Sequence, residues 1–116
     1  MTVVLSKTDI ESFHDDGVVV LRGVFKEWID ILIRGAEFHI NNPSSSALVH
    51  QEKCYQGYFM EDFCNWQRIP EYKDFVLNSP LASLAAELIE SQSVQFFHDH
   101  FFYKEGDPLE VNYRDH

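Results

Sequence analysis

Ser93-Val94-Gln95-Phe96-Phe97-His98-Asp99-His100-Phe101-Phe102-Tyr103-Lys104 is the stretch on which the fold turns. It is too rich in Phe, Tyr and Val, and too short, to be an amphipathic helix, so it predicts a strand. At period two, Val94, Phe96, His98, His100 and Phe102 share one face. Gln95, Phe97, Asp99, Phe101 and Tyr103 share the other. Aromatics on both faces predict a strand covered on both sides. Gly106-Asp107-Pro108 then breaks it.

Working back from that strand, Leu81, Leu84, Ala85, Leu88 and Ile89 form one continuous apolar stripe, which predicts a helix opened by Pro80 with Ser79 as its N-cap. Pro70 suits the first turn of another helix, where a missing N–H costs nothing. Ala47–Arg68 is aromatic-rich without a clean period and reads as loop with short extended pieces. Asn41-Asn42-Pro43-Ser44-Ser45-Ser46 is a loop by composition. Phe25, Trp28, Ile29, Leu32 and Ala36 recur at helical spacing, giving a helix to about Ile40.

Val18-Val19-Val20-Leu21-Arg22 is a compact run between glycines and predicts a short buried strand. Before it, Thr8 and Glu11 have the spacing of a capping box, with Ile10, Phe13 and His14 facing inward and Gly17 ending the helix. No repeat or linker divides the chain. One α+β domain over residues 1–116 is expected.

Composition narrows the partners. The chain has 116 residues, 45% hydrophobic and 15% aromatic, a level that argues against disorder. The net charge of −10 repels phosphate backbones and anionic lipid, so neither nucleic acid nor a membrane is an expected partner. No apolar run approaches the ~18–20 residues that span a bilayer. Met1–Lys7 has no signal-peptide pattern, so a cytoplasmic protein with Cys54 and Cys64 reduced is expected.

His98 and His100 stand roughly 7 Å apart along one strand face, a two-ligand platform for a divalent metal. A third ligand is missing, because alternation sends Asp99 to the other face. Hydrogen-bonded strand histidines are the better reading of that spacing. His14, His39 and His50 are scattered and read as ordinary surface or helix histidines. Neither cysteine has a base nearby in sequence, Ser44-Ser45-Ser46 lacks a nucleophile-elbow context, and no glycine-rich phosphate loop is present.

Three stretches together carry a family resemblance. Phe13-His14-Asp15-Asp16-Gly17-Val18-Val19-Val20-Leu21-Arg22-Gly23-Val24-Phe25 resembles the opening of the phytanoyl-CoA dioxygenase family of non-haem Fe(II)/2-oxoglutarate oxygenases. Asn78-Ser79-Pro80-Leu81-Ala82 resembles one of that family's helix starts. Phe97 to Glu105 resembles its histidine-aspartate-histidine strand, here with Gly106 directly after Glu105 and no proline between. Their order and spacing are more specific than any one stretch.

The resemblance implies N-terminal helices buttressing the first strands of a double-stranded β-helix, or jelly roll, with the barrel incomplete in this chain. It implies Fe(II) and 2-oxoglutarate as cofactors and hydroxylation of a small-molecule substrate. The family's iron sits on a His-x-Asp pair and a later His. His116 falls where the first of these ligands is expected, and the other ligands are expected beyond it, so activity is not expected to be complete within these residues. His100 corresponds to a position lining the 2-oxoglutarate pocket. Lys104 reads equally as a functional group or a solvated end-of-strand charge. The alternative is a non-catalytic interaction module that forms homo-oligomers through exposed strand edges.

Overall fold

The computed structural model describes residues 5–50 and 57–106. Helix α1 (Lys7–Asp16) is followed by a 3-10 turn (Lys26–Trp28), α2 (Ile29–Asn41), β1 (Leu48–His50), β2 (Tyr58–Phe63), α3 (Pro70–Asn78), α4 (Leu81–Leu88) and β3 (His100–Glu105). The described residues are therefore α+β.

The N-cap of α1 lies two residues before the predicted Thr8. The Ser6 hydroxyl accepts from the Asp9 N–H at 3.0 Å, and the Asp9 carboxylate accepts from the Ser6 N–H at 3.2 Å. The capping box is therefore Ser6–Asp9. Leu5, just ahead of it, is buried and anchors the entry. At the other end Gly17 takes φ 75°, the left-handed conformation expected there, and its N–H reaches the Phe13 carbonyl. His14 Nε2 lies 3.0 Å from the Leu88 carbonyl, fastening α1 to the end of α4.

The predicted strand at Val18–Arg22 is absent. Val18 and Val20 are 63% and 67% exposed, and no ladder partner lies beside them among the described residues. A β-branched run favours extended backbone, but without a neighbour to receive its N–H and C=O groups it makes no strand. Gly23, at φ 73°, turns the chain into the 3-10 turn that precedes α2.

Helices α2 and α3 pack closely. Phe25 and Trp28 meet Phe75 edge to face, with ring centroids 5.2 and 5.8 Å apart. At Gly35 an added Cβ would lie 2.8 Å from Tyr72 Cε1 and 3.1 Å from Glu71 Cβ, so only glycine permits this approach. Pro70 occupies the first turn of α3 as predicted. Pro80 instead precedes α4, and the Ser79 hydroxyl accepts from the Leu81 N–H. Ser79 also closes the C-terminus of α3, so one residue serves both helices.

The sheet has the order β1-β2-β3 and is antiparallel throughout. Its central strand, β2, lies within the segment read as irregular. Glu61 stands opposite Leu48 on one side and Phe102 on the other. Alternation then gives two unlike faces. Met60, Asp62 and Phe101 lie on the face turned toward α2 and α3, where Met60 and Asp62 have no solvent exposure. Phe59, Glu61, Phe63, His50, His100 and Phe102 lie on the other.

The histidine-rich strand is shorter and barer than predicted. Pairing begins only at His100, and the segment before it carries Phe97 at 93% exposure. Phe102 is 58% exposed, so the strand is not covered on both sides. The aromatic content of its two faces has different causes. Phe101 packs against His39 and Tyr72, whereas Phe102 stacks with the neighbouring rings Phe59 and His100 on an open face.

Candidate functional site

The open face of the sheet gathers the ionisable groups. Glu61, near its middle, is flanked by an imidazole from each neighbouring strand. His50 Nε2 lies 2.9 Å from Oε2 and His100 Nε2 lies 3.1 Å from Oε1. One carboxylate thus accepts from two imidazoles, each with its proton on Nε2. Rings frame the trio: His50 stacks on Phe59 at 5.2 Å, and His100 packs on Phe63 at 4.3 Å and Phe102 at 4.0 Å. Half of the His50 side chain and about a third of that of His100 remain open to water.

His98 stands apart from that trio. Its ring is 6.2 Å from that of His100 and nearly perpendicular to it, and its Nδ1 faces the free, exposed Cys64 Sγ at 3.4 Å. Cys54 lies outside the described residues. His98 and His100 therefore have separate partners, and of the two only His100 lies within the strand. Asp99 takes yet another direction, accepting from the Asn65 and Trp66 N–H groups at 2.9 and 3.1 Å.

A second polar cluster lies under the sheet. His39, read from sequence as an ordinary surface or helix residue, has no exposure at all. Its Nε2 donates to Asp62 Oδ2 at 2.8 Å, and the Tyr72 hydroxyl donates to its Nδ1 at 2.8 Å. Asp62 also accepts from the Ser44 hydroxyl and from the Ser44 and Phe63 N–H groups. Burial alone raises a carboxyl pKa, but these donors outweigh it and hold Asp62 well below the usual carboxylate range. Burial raises the Tyr72 phenol, and the negative charge of Asp99 pushes it up further.

Serine, histidine and aspartate meet here without forming a nucleophilic triad. Ser44 donates to Asp62, not to His39, so no base stands ready to take its proton. His39 and Asp62 are closed to solvent, Ser44 and Tyr72 half-buried, and the cluster holds α2, the loop after it, β2 and α3 together. No spacing in the sequence signals this, because His39, Asp62 and Tyr72 come from three separate elements. The trio on the open face did leave a trace: Phe59, Glu61 and Phe63 alternate within β2, but the run between two irregular stretches hid the period.

Among the described residues no group of three or more His, Cys, Asp or Glu side chains is placed to hold a metal ion. The described part of the chain therefore does not by itself fit iron. His116, the expected first iron ligand, lies outside the described residues. His100, expected beside 2-oxoglutarate, is on the open face. Among the described residues no helix is long and apolar enough to cross a membrane. Compared with family models, curated proteins and solved structures, the chain matches none.

Proposed function

We propose that this chain carries the helical buttress and opening strands of an Fe(II)/2-oxoglutarate oxygenase of the phytanoyl-CoA dioxygenase type, in the cytoplasm. One observation supports the reading above the others: α2 and α3 cover one face of an antiparallel sheet, while the other presents His50, Glu61 and His100 among aromatic rings. In a double-stranded β-helix a second sheet packs about 10 Å from such a face, and a cosubstrate binds between them. His100 would then line the 2-oxoglutarate pocket. His116 would supply the first of three iron ligands, the other two coming from later strands.

Two measurements test this. With Fe(II), 2-oxoglutarate and ascorbate, the 116-residue chain should release no succinate above background, because three ligands do not converge among the described residues. Sustained turnover would overturn the incomplete-barrel reading. In the coding sequence, an Asp codon should stand two positions past His116. Its absence would remove the oxygenase reading itself.

A second reading, a non-catalytic interaction module, is favoured by the sheet edges. Each outer strand, β1 and β3, has only one neighbour among the described residues. Unpaired edges of this kind recruit further strands, from a second copy first of all. Sedimentation at several concentrations distinguishes the two readings, since a strict monomer excludes this one.

A further inference from the structure

Between α2, α3, the start of α4 and the segment leading into β3 a cavity of about 350 Å³ opens. Leu32 and Ala36 contribute from α2, Tyr72 and Phe75 from α3, and Trp66 and Phe96 from the connecting segments. The walls are almost wholly apolar. Its volume falls in the range of small-molecule sites, and more than twice that of a dry cavity that takes up benzene.

Asp99 is the one side chain in this lining with a permanent charge. Its two oxygens each accept a single backbone N–H, from Asn65 and Trp66, so the carboxylate is fixed in place. An ionised carboxylate has about four acceptor sites, which leaves two for a ligand. Its field reaches the cavity wall, where it helps raise the Tyr72 phenol. His100 also borders the space, but its Nε2 is engaged by Glu61. No lysine or arginine lines it.

We propose that this cavity binds a small organic cation: an aromatic or aliphatic body of about ten heavy atoms bearing one ammonium group, with the body among the apolar walls and the charge against Asp99. The aromatic rings favour a cation over an equally sized neutral molecule. The overall charge of −10 draws cations in and keeps carboxylates out. The cavity shares His100 with the proposed cosubstrate pocket, but its charged group is Asp99, and its occupancy does not depend on that reading.

The test is calorimetric titration at pH 8 with phenylpropylammonium, phenylpropanol and phenylpropanoate, which share a ring and chain and differ in head group. The amine should bind about tenfold more tightly than the alcohol, and the acid weakest of all. Equal binding of amine and alcohol overturns the proposal, as does no binding of the amine at millimolar concentration. Asp99→Asn should bring the amine to the affinity of the alcohol. Should that variant fail to fold, the three-ligand comparison on the unaltered chain still decides. Ala36→Phe, which fills the cavity from α2, should abolish amine binding; undiminished binding places the ligand elsewhere and overturns the assignment.

Discussion

His39 has no contact with water, yet each of its ring nitrogens has a partner from a different element. A buried histidine is worth keeping only if both nitrogens are satisfied, because an unpaired one carries its full desolvation cost. His39→Leu should therefore do more than remove a ring. It withdraws the Nε2 donor from the buried Asp62 carboxylate and the acceptor from the Tyr72 hydroxyl. A loss of about 3 kcal/mol is expected in urea unfolding, the scale found when one partner of a buried pair is removed. A loss under 1 kcal/mol would mean that the remaining Ser44 donors suffice for Asp62.

Asp62 is expected to set the acid limit of the fold. Its pKa is lowered on folding from the ordinary 3.8 by the donors around it, so the unfolded chain takes up the proton first. The stability it contributes is fully present above that ordinary value and is lost progressively as pH falls toward the folded one. Thermal melts from pH 6 down to 2 should show the midpoint dropping most steeply below about pH 4. Asp62→Asn, weaker at neutral pH, should show a shallower decline there. Equal slopes would mean that other carboxylates dominate the acid limb.

At the scale of elements, the contact between α2 and α3 depends on a missing methyl group. Alanine is the better helix former by about 1 kcal/mol in a helix interior, so propensity alone predicts that Gly35→Ala stabilises. Packing predicts the reverse. The new Cβ meets the Tyr72 ring, which cannot swing aside without giving up its hydrogen bond to His39. Overpacking of this kind costs about 1–3 kcal/mol, so a net destabilisation is expected. A raised melting temperature for Gly35→Ala would show that Tyr72 yields easily.

The elements also show what the sequence exposed and what it concealed. Helices α2, α3 and α4 were legible because local signals specify them: an apolar stripe at helical period, or a proline in or just before the first turn. Strand β2 was not, since its alternation covers only Tyr58–Phe63 and its role as the middle strand depends on partners far along the chain. Val18–Arg22 has the stronger strand composition and is not a strand, because propensity without a neighbour decides nothing. The same holds for the site. His100 could be singled out from its own segment, but its bond to Glu61 and the placement of His50 arise only when β1, β2 and β3 align.

For the molecule as a whole, the open face is the dominant feature. Leu48 and Phe102 are 49% and 58% exposed there, beside Phe59 and Phe63. Apolar surface gathered on one sheet face, next to strand edges that have no partner among the described residues, favours association. Phe102→Lys should leave unfolding midpoints within about 0.5 kcal/mol of the parent, because the ring is mostly in water. It should also lower any concentration-dependent sedimentation. If both chains sediment alike and associate, contact runs through a different surface.

Asp99 also shapes the route by which the chain reaches this structure. Its carbonyl accepts from the Cys64 N–H and its carboxylate from the next two amides, so the turn after β2 is clasped from 34 residues along the chain. Everything between, α3 and α4 included, becomes a closed loop once the clasp forms. Entropy delays such a closure, whereas the α3–α4 hairpin forms from near neighbours. Refolding is accordingly expected to be helix-first, with β2–β3 docking as the late, rate-setting event.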